Sequence, residues 1–92
     1  MKIEGNKIIF KSLPEFWEKE YLNKKPYTIR LLNEKECDLL LGLLGVCDKL
    51  LIEIQNTETK QSFTREIKDI SQLGKFLGKY LIGIAWEIEE NE

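Results

Sequence analysis

The chain has 92 residues, room for one compact core and no second lobe, so it reads as a single domain spanning 1–92. Hydrophobic residues make up 42% and charged residues 33%, a balance that excludes a disordered tail. The absence of His excludes a His base, a Ser-His or Cys-His nucleophile pair and any zinc site with an imidazole ligand.

Fourteen Lys and Arg against sixteen Asp and Glu leave a net charge of −2. That disfavours a groove that binds duplex phosphates non-specifically, so any nucleic-acid contact is local. The start, Met1-Lys2-Ile3-Glu4-Gly5, lacks an apolar core of signal-peptide length, and no apolar run approaches the ~18–20 residues of a membrane span. A soluble, cytoplasmic protein without membrane contact is expected. Cys37 and Cys47 lack CxxC spacing and have no His beside them, so they read as structural thiols, with no metal site and no cofactor.

In chain order, Gly5-Asn6 separates Lys2-Ile3-Glu4 from Lys7-Ile8-Ile9-Phe10-Lys11, a small N-terminal hairpin. Ser12-Leu13-Pro14-Glu15 has capping-box spacing and an early proline, which predicts a short helix over 14–22. Residues 27–32 alternate as a strand, with Tyr27, Ile29 and Leu31 on one face and Thr28, Arg30 and Leu32 on the other. Asn33 with Glu36 resembles an N-cap pair, and Cys37, Leu40, Leu41 and Leu44 share a helical stripe, which predicts a helix over 33–44 with Gly45 after its last turn. Runs 50–55 and 61–67 should pair antiparallel through the polar connection 56–60. A brief helical turn is expected over 72–77, ended by Gly78. A last strand follows, with bulky Tyr80, Ile82, Ile84, Trp86 and Ile88 on one face and Leu81, Gly83, Ala85 and Glu87 on the other. This order fits an α+β domain with a small curved mixed sheet or open β-barrel and two to three short helices. The tail Glu87, Glu89, Glu90 and Glu92 reads as a solubilising end.

The segment Asn23-Lys24-Lys25-Pro26-Tyr27-Thr28-Ile29-Arg30 delivers a Lys from a loop, then a Thr and an Arg on one strand face. It resembles the signature of the ASCH domains, a PUA-like family in which a helix is followed by a loop and strand reading Gly-x-Lys-x-x-Glu-x-Arg. Lys25 and Arg30 match; Asn23 stands where the family has Gly, and Asn also visits left-handed conformations. Thr28 replaces the commonest Glu. One branch, similar to small N4-acetylcytidine amidohydrolases, has Lys-x-x-Thr-x-Arg here, and its chemistry is attributed to that Lys and Thr with a more distant Glu. The resemblance covers residues 8–32; beyond them a helix intervenes before Cys47-Asp48, where ASCH proteins have a short loop and a Gly-Asp pair. The run from Asn56 to Ile70 is similar to small uncharacterised phage and prophage proteins.

Glu66 is the candidate for the third group, because it leaves an adjacent strand on the side of Ser62 and Thr64; Asp69 comes second. A Thr hydroxyl needs a base to become a nucleophile, and Lys25 is such a base only in a dry pocket. Arg30 would then orient a carbonyl or phosphate oxygen through its planar fork. Strand alternation places Arg65 on the Phe63 and Ile67 face, either snorkelling at an edge or joining Arg30 around an anion. Trp17, Tyr21, Tyr27 and Trp86 are either core or base-stacking platforms.

The resemblance implies a non-enzymatic module that binds a nucleotide or single-stranded RNA through Lys25, Thr28, Arg30 and Arg65. A second reading is an amidohydrolase acting on N4-acetylcytidine-like substrates, with Lys25, Thr28 and Glu66 as catalytic residues. A third is a mobile-element interaction or anti-defence factor that docks a protein partner or a second copy through leucine-rich helix 33–44. The plainest alternative for Lys25, Thr28 and Arg30 is a solvated strand face.

Overall fold

Buried and more exposed side chains alternate without a break over residues 7–12 and 51–56, and these two strands lie side by side in the sheet. A computed structural model describes residues 1–86; Ile88 and the acidic tail lie outside the described residues. The elements are β1 (Lys2–Glu4), β2 (Lys7–Ser12), α1 (Pro14–Tyr21), β3 (Tyr27–Leu32), α2 (Glu34–Val46), β4 (Leu51–Asn56), β5 (Ser62–Phe76) and β6 (Lys79–Trp86). The strands form one mixed, unclosed sheet in the order β1-β2-β4-β5-β6-β3. Among the described residues only β2 and β4 pair in parallel, with Ile8 opposite Ile52 and Phe10 opposite Ile54; the connection between them carries α1, β3 and α2, the two helices of the described residues, and the fold is α+β.

The even-numbered residues of β2, β4 and β6 turn inward: Ile8, Phe10, Ile52, Ile54, Ile82, Ile84 and Trp86 are all buried. Trp17 from α1 joins them and donates its indole N–H to the Ile54 carbonyl at 2.9 Å. Leu40 is the one fully buried residue of α2. The expected N-cap of α2 is present as a capping box: Asn33 Oδ1 accepts from the Glu36 N–H at 2.8 Å and Glu36 Oε1 from the Asn33 N–H at 3.1 Å. The helix continues through Gly45 to Val46, so that glycine does not terminate it.

Two further expectations are corrected. Ser12 does not cap α1; Leu13 occupies the N-cap without a side-chain bond, and Ser12 is the last residue of β2. Residues 72–77 are not helical, because β5 runs on to Phe76 and pairs with β6 throughout. Gly78 is left-handed at φ 79°, but it closes a β-hairpin rather than a helix. Two register shifts hide this strand from pattern reading. One lies between Ile67 and Asp69 and the other between Gln72 and Gly74. Each inserts one residue, Lys68 and Leu73, and flips which parity faces inward. Leu73 then folds over the small outer face of β6, where a Cβ on Gly83 would lie 3.2 Å from its Cδ1.

The β5–β6 turn carries a local strain. Leu77 sits at φ 49°, a conformation that costs a non-glycine residue ~1–2 kcal/mol, and its side chain is 87% exposed. Leu77→Asn keeps the turn and relieves that cost, and is expected to stabilise the fold by about 1 kcal/mol, read as a higher urea midpoint at unchanged slope.

Candidate functional site

β3 is an edge strand, at the far end of the sheet from β1. On that far side β1 pairs only with Lys7, Ile8 and Ile9, so the second half of β2 has no described strand along one edge. The curl of the sheet brings these two edges together without a ladder between them, and Arg30 spans the seam. Its Nε donates to Thr28 Oγ1 at 2.9 Å, its Nη1 to the Lys11 carbonyl at 2.9 Å and its Nη2 to Ser12 Oγ at 2.7 Å. The guanidinium also lies over the Phe10 ring, 4.8 Å from its centroid. Burial pulls its pKa below the ordinary arginine value, and the charge of Glu20 pulls the other way.

Ser12 passes the network on, donating to Glu20 Oε1 at 3.0 Å. Glu20 comes from the last turn of α1, one turn beyond Trp17, and is only 1% exposed. Its second oxygen lies 3.9 Å from Lys25 Nζ. Lys25 is placed by the loop after α1, where its backbone N–H and that of Lys24 both return to the Lys19 carbonyl. The Lys25 ammonium sits between the rings of Phe16 and Tyr27, 5.5 and 5.6 Å from their centroids. Asn23, in the same loop, is left-handed at φ 59°.

Leu13, Phe16, Glu20, Lys25, Thr28, Ile29 and Arg30 line a cleft of about 320 Å³. Hydrogen-bonding capacity is left over in it. Among the described residues, Thr28 Oγ1 accepts from Arg30, which leaves its own O–H to donate; Glu20 Oε2 has only the long Lys25 contact; and two guanidinium N–H bonds of Arg30 are not used. The cleft therefore offers a carboxylate acceptor beside a hydroxyl, an ammonium and a guanidinium.

The structure brings Lys25, Thr28 and Arg30 together and places Arg65, Glu66 and Asp69 elsewhere. Arg65 covers the core near α1: its guanidinium lies 4.8 Å from the Phe63 centroid, and Nη2 donates to the Tyr21 carbonyl at 3.3 Å. Glu66 stands opposite Leu51 and meets Lys68 at 4.0 Å. Asp69 accepts from Ser71 Oγ at 2.8 Å on the outer sheet face. The carboxylate beside Lys25 is Glu20, which the motif does not contain. Its signal in the sequence is helical spacing, since a Glu three residues after a core Trp falls on the buried stripe. Trp17 and Trp86 are core residues, whereas Phe16 and Tyr27 are exposed; Phe16 lines the cleft, and Tyr27 lines a shallow hollow on the outer sheet face with Asp69 and Ser71.

A wider concavity of about 720 Å³ adjoins the cleft, and Lys11 and Arg30 line both. Its wall holds Glu53, paired with Lys7 at 2.7 Å. The Lys7 hydrogen bond is the main influence that holds the Glu53 carboxyl below its ordinary value, against the opposing effect of burial, and the same bond raises Lys7. Among the described residues no group of three metal-ligating side chains occurs, and no helix is long and apolar enough to cross a membrane. The Cys37 thiol is raised by burial and then by Asp38 and Glu36, which disfavours the thiolate a nucleophile needs. Comparison with protein-family models, with curated proteins and with solved structures finds no significant match.

Arg30→Met removes three donors at once and is expected to cost about 2–4 kcal/mol of stability. In a double-mutant cycle with Glu20→Gln the two losses should not add, because Ser12 links both side chains; additive losses measured by chemical denaturation would show no coupling. Glu53 predicts a pH limb. Its depressed folded pKa contributes stability that is fully present above the ordinary value of 4.5 and is lost as pH falls through the lower folded value. Glu53→Gln should flatten that acid limb in melts recorded across pH 3–6.

Proposed function

We propose that the protein is a small ASCH-like module, on an open PUA-like sheet, that binds a nucleotide or a base of single-stranded RNA in the cytoplasm through the Lys25, Thr28 and Arg30 cleft. The observation that carries this reading is the convergence of those three side chains with buried Glu20 on one cleft that keeps unspent donors and an unspent acceptor. An acceptor beside donors complements a base edge that presents an amino group next to a ring nitrogen or carbonyl, and the exposed Phe16 ring in the cleft wall suits a planar ligand. On this reading Glu20 supplies, from the helix, the carboxylate that the commonest ASCH signature carries at position 28.

The amidohydrolase reading is second, favoured by the same Lys25, Thr28 and Glu20 grouping. Binding is preferred because Thr28 already spends a lone pair on Arg30 Nε and is held on the strand, which makes it a poorly placed nucleophile. The partner-docking reading rests on α2, whose Leu39, Leu41, Leu44 and Val46 are all exposed.

Thermal shift against nucleosides, nucleotides and N4-acetylcytidine tests the primary reading. A compound at ~100 times its dissociation constant should add ~2.7 kcal/mol of stability, and Lys25→Ala should abolish the shift. No shift with any compound sinks the cleft reading. Acetate release from N4-acetylcytidine that disappears in both Thr28→Val and Glu20→Gln would instead establish hydrolysis.

A further inference from the structure

The seam between β2 and β3 opens into two cavities rather than one, and the charges around them are unequally spent. Lys2 is held by Glu4 at 3.3 Å, Lys25 by Glu20 at 3.9 Å, and Lys7 reaches Glu53, which with Glu4 lines the wider cavity, at 2.7 Å. Among the described residues that line the two cavities, Lys11 and Arg30 are the cationic side chains with no carboxylate within ion-pair distance. These are also residues shared by both walls. Lys11 is exposed and among the described residues its ammonium has no partner, while Arg30 retains two N–H bonds that none of them accepts. The exposed Lys11 ammonium thus stands, beside the two remaining N–H bonds of Arg30, at the junction of the two spaces, while Glu20 offsets part of the Arg30 charge.

A terminal phosphate at that junction would leave one cavity empty. An internal phosphate has a nucleoside on each side, which is the layout the seam offers. Resting on the nucleotide-binding reading, the geometry points to an oligonucleotide chain as the ligand. Its phosphodiester lies across Lys11 and Arg30, one base enters the cleft of Glu20 and Lys25, and the neighbouring base lies against Ile9, Phe10 and Gln55. Phe10 underlies the Arg30 guanidinium, so the group that meets the phosphate is held flat and needs little ordering on binding. Chain character also reconciles the acidic protein with a nucleic-acid ligand, since one phosphate is contacted rather than a continuous backbone.

Calorimetric titration of the protein with ApA, CpC, GpG and UpU, each beside its nucleoside and its 5′-monophosphate, tests the assignment. At least one dinucleoside monophosphate should bind about tenfold tighter than both of its parts. A methylphosphonate-linked version, which lacks the charge, should lose that gain. Lys11→Gln should bring the ratio of dinucleotide to nucleoside affinity close to one and lower the slope of log affinity against log salt by ~0.7. Equal binding of nucleoside, monophosphate and dinucleotide overturns the two-cavity assignment while nucleotide binding stands. A tenfold gain that survives the methylphosphonate or Lys11→Gln overturns the junction as the phosphate position. Absence of binding by all twelve natural compounds removes the nucleotide-binding reading itself.

Discussion

The guanidinium of Arg30 joins two sheet edges that share no backbone ladder. β3 reaches its place through β6, at the opposite end of the strand order from β2, yet the Arg30 side chain bonds to the Lys11 carbonyl and the Ser12 hydroxyl of β2. A planar fork whose five donors are spread over three nitrogens performs this span, where the three donors of a lysine would all sit on one atom. A carbonyl left unpaired by the short β1 is satisfied from across the gap. The cleft exists because this closure is made by a side chain: a backbone ladder would have filled the same space.

The carboxylate of the site follows from how α1 is anchored. Trp17 inserts into the core, stacks on Tyr21 with centroids 5.1 Å apart and bonds to the Ile54 carbonyl. One turn later the same stripe delivers Glu20 to the seam, where Ser12 donates to it. A buried carboxylate without such a donor would be expensive. The loop that follows turns at left-handed Asn23, whose side-chain oxygen accepts from the Trp86 indole at 3.4 Å. The rims of the cleft are therefore tied to two core tryptophans.

Much of the fold was legible where each level of the sequence agreed with the next. β3 falls on residues 27–32 as its alternation predicts, the α2 cap is readable from Asn33 and Glu36, and the hairpin of β4 and β5 follows from two β-rich runs around a polar connection. The far half of β5 was not legible, because two inserted residues break its period and a glycine that suits a helix end suits a hairpin equally. The site was legible in part. Lys25, Thr28 and Arg30 could be grouped from a loop and one strand face. Glu20 could not be joined to them by any local pattern, since only the tertiary path of α1 brings it there. Arg65 was placed correctly on the core-facing side of its strand, but the sheet curl that separates it from the seam is a property of the whole topology.

The paired bulges of β5 have a bearing on how this strand can vary. A single insertion or deletion between Ile67 and Gly74 would reverse the inward and outward residues of everything beyond it, up to the hairpin tip. Two insertions or two deletions, one at each bulge, restore the frame and alter only the four residues from Asp69 to Gln72. The hairpin can therefore gain or lose length in steps of two while Phe63 at its base and Tyr80 across from its end keep their neighbours, so that its reach into solvent is adjustable independently of the core.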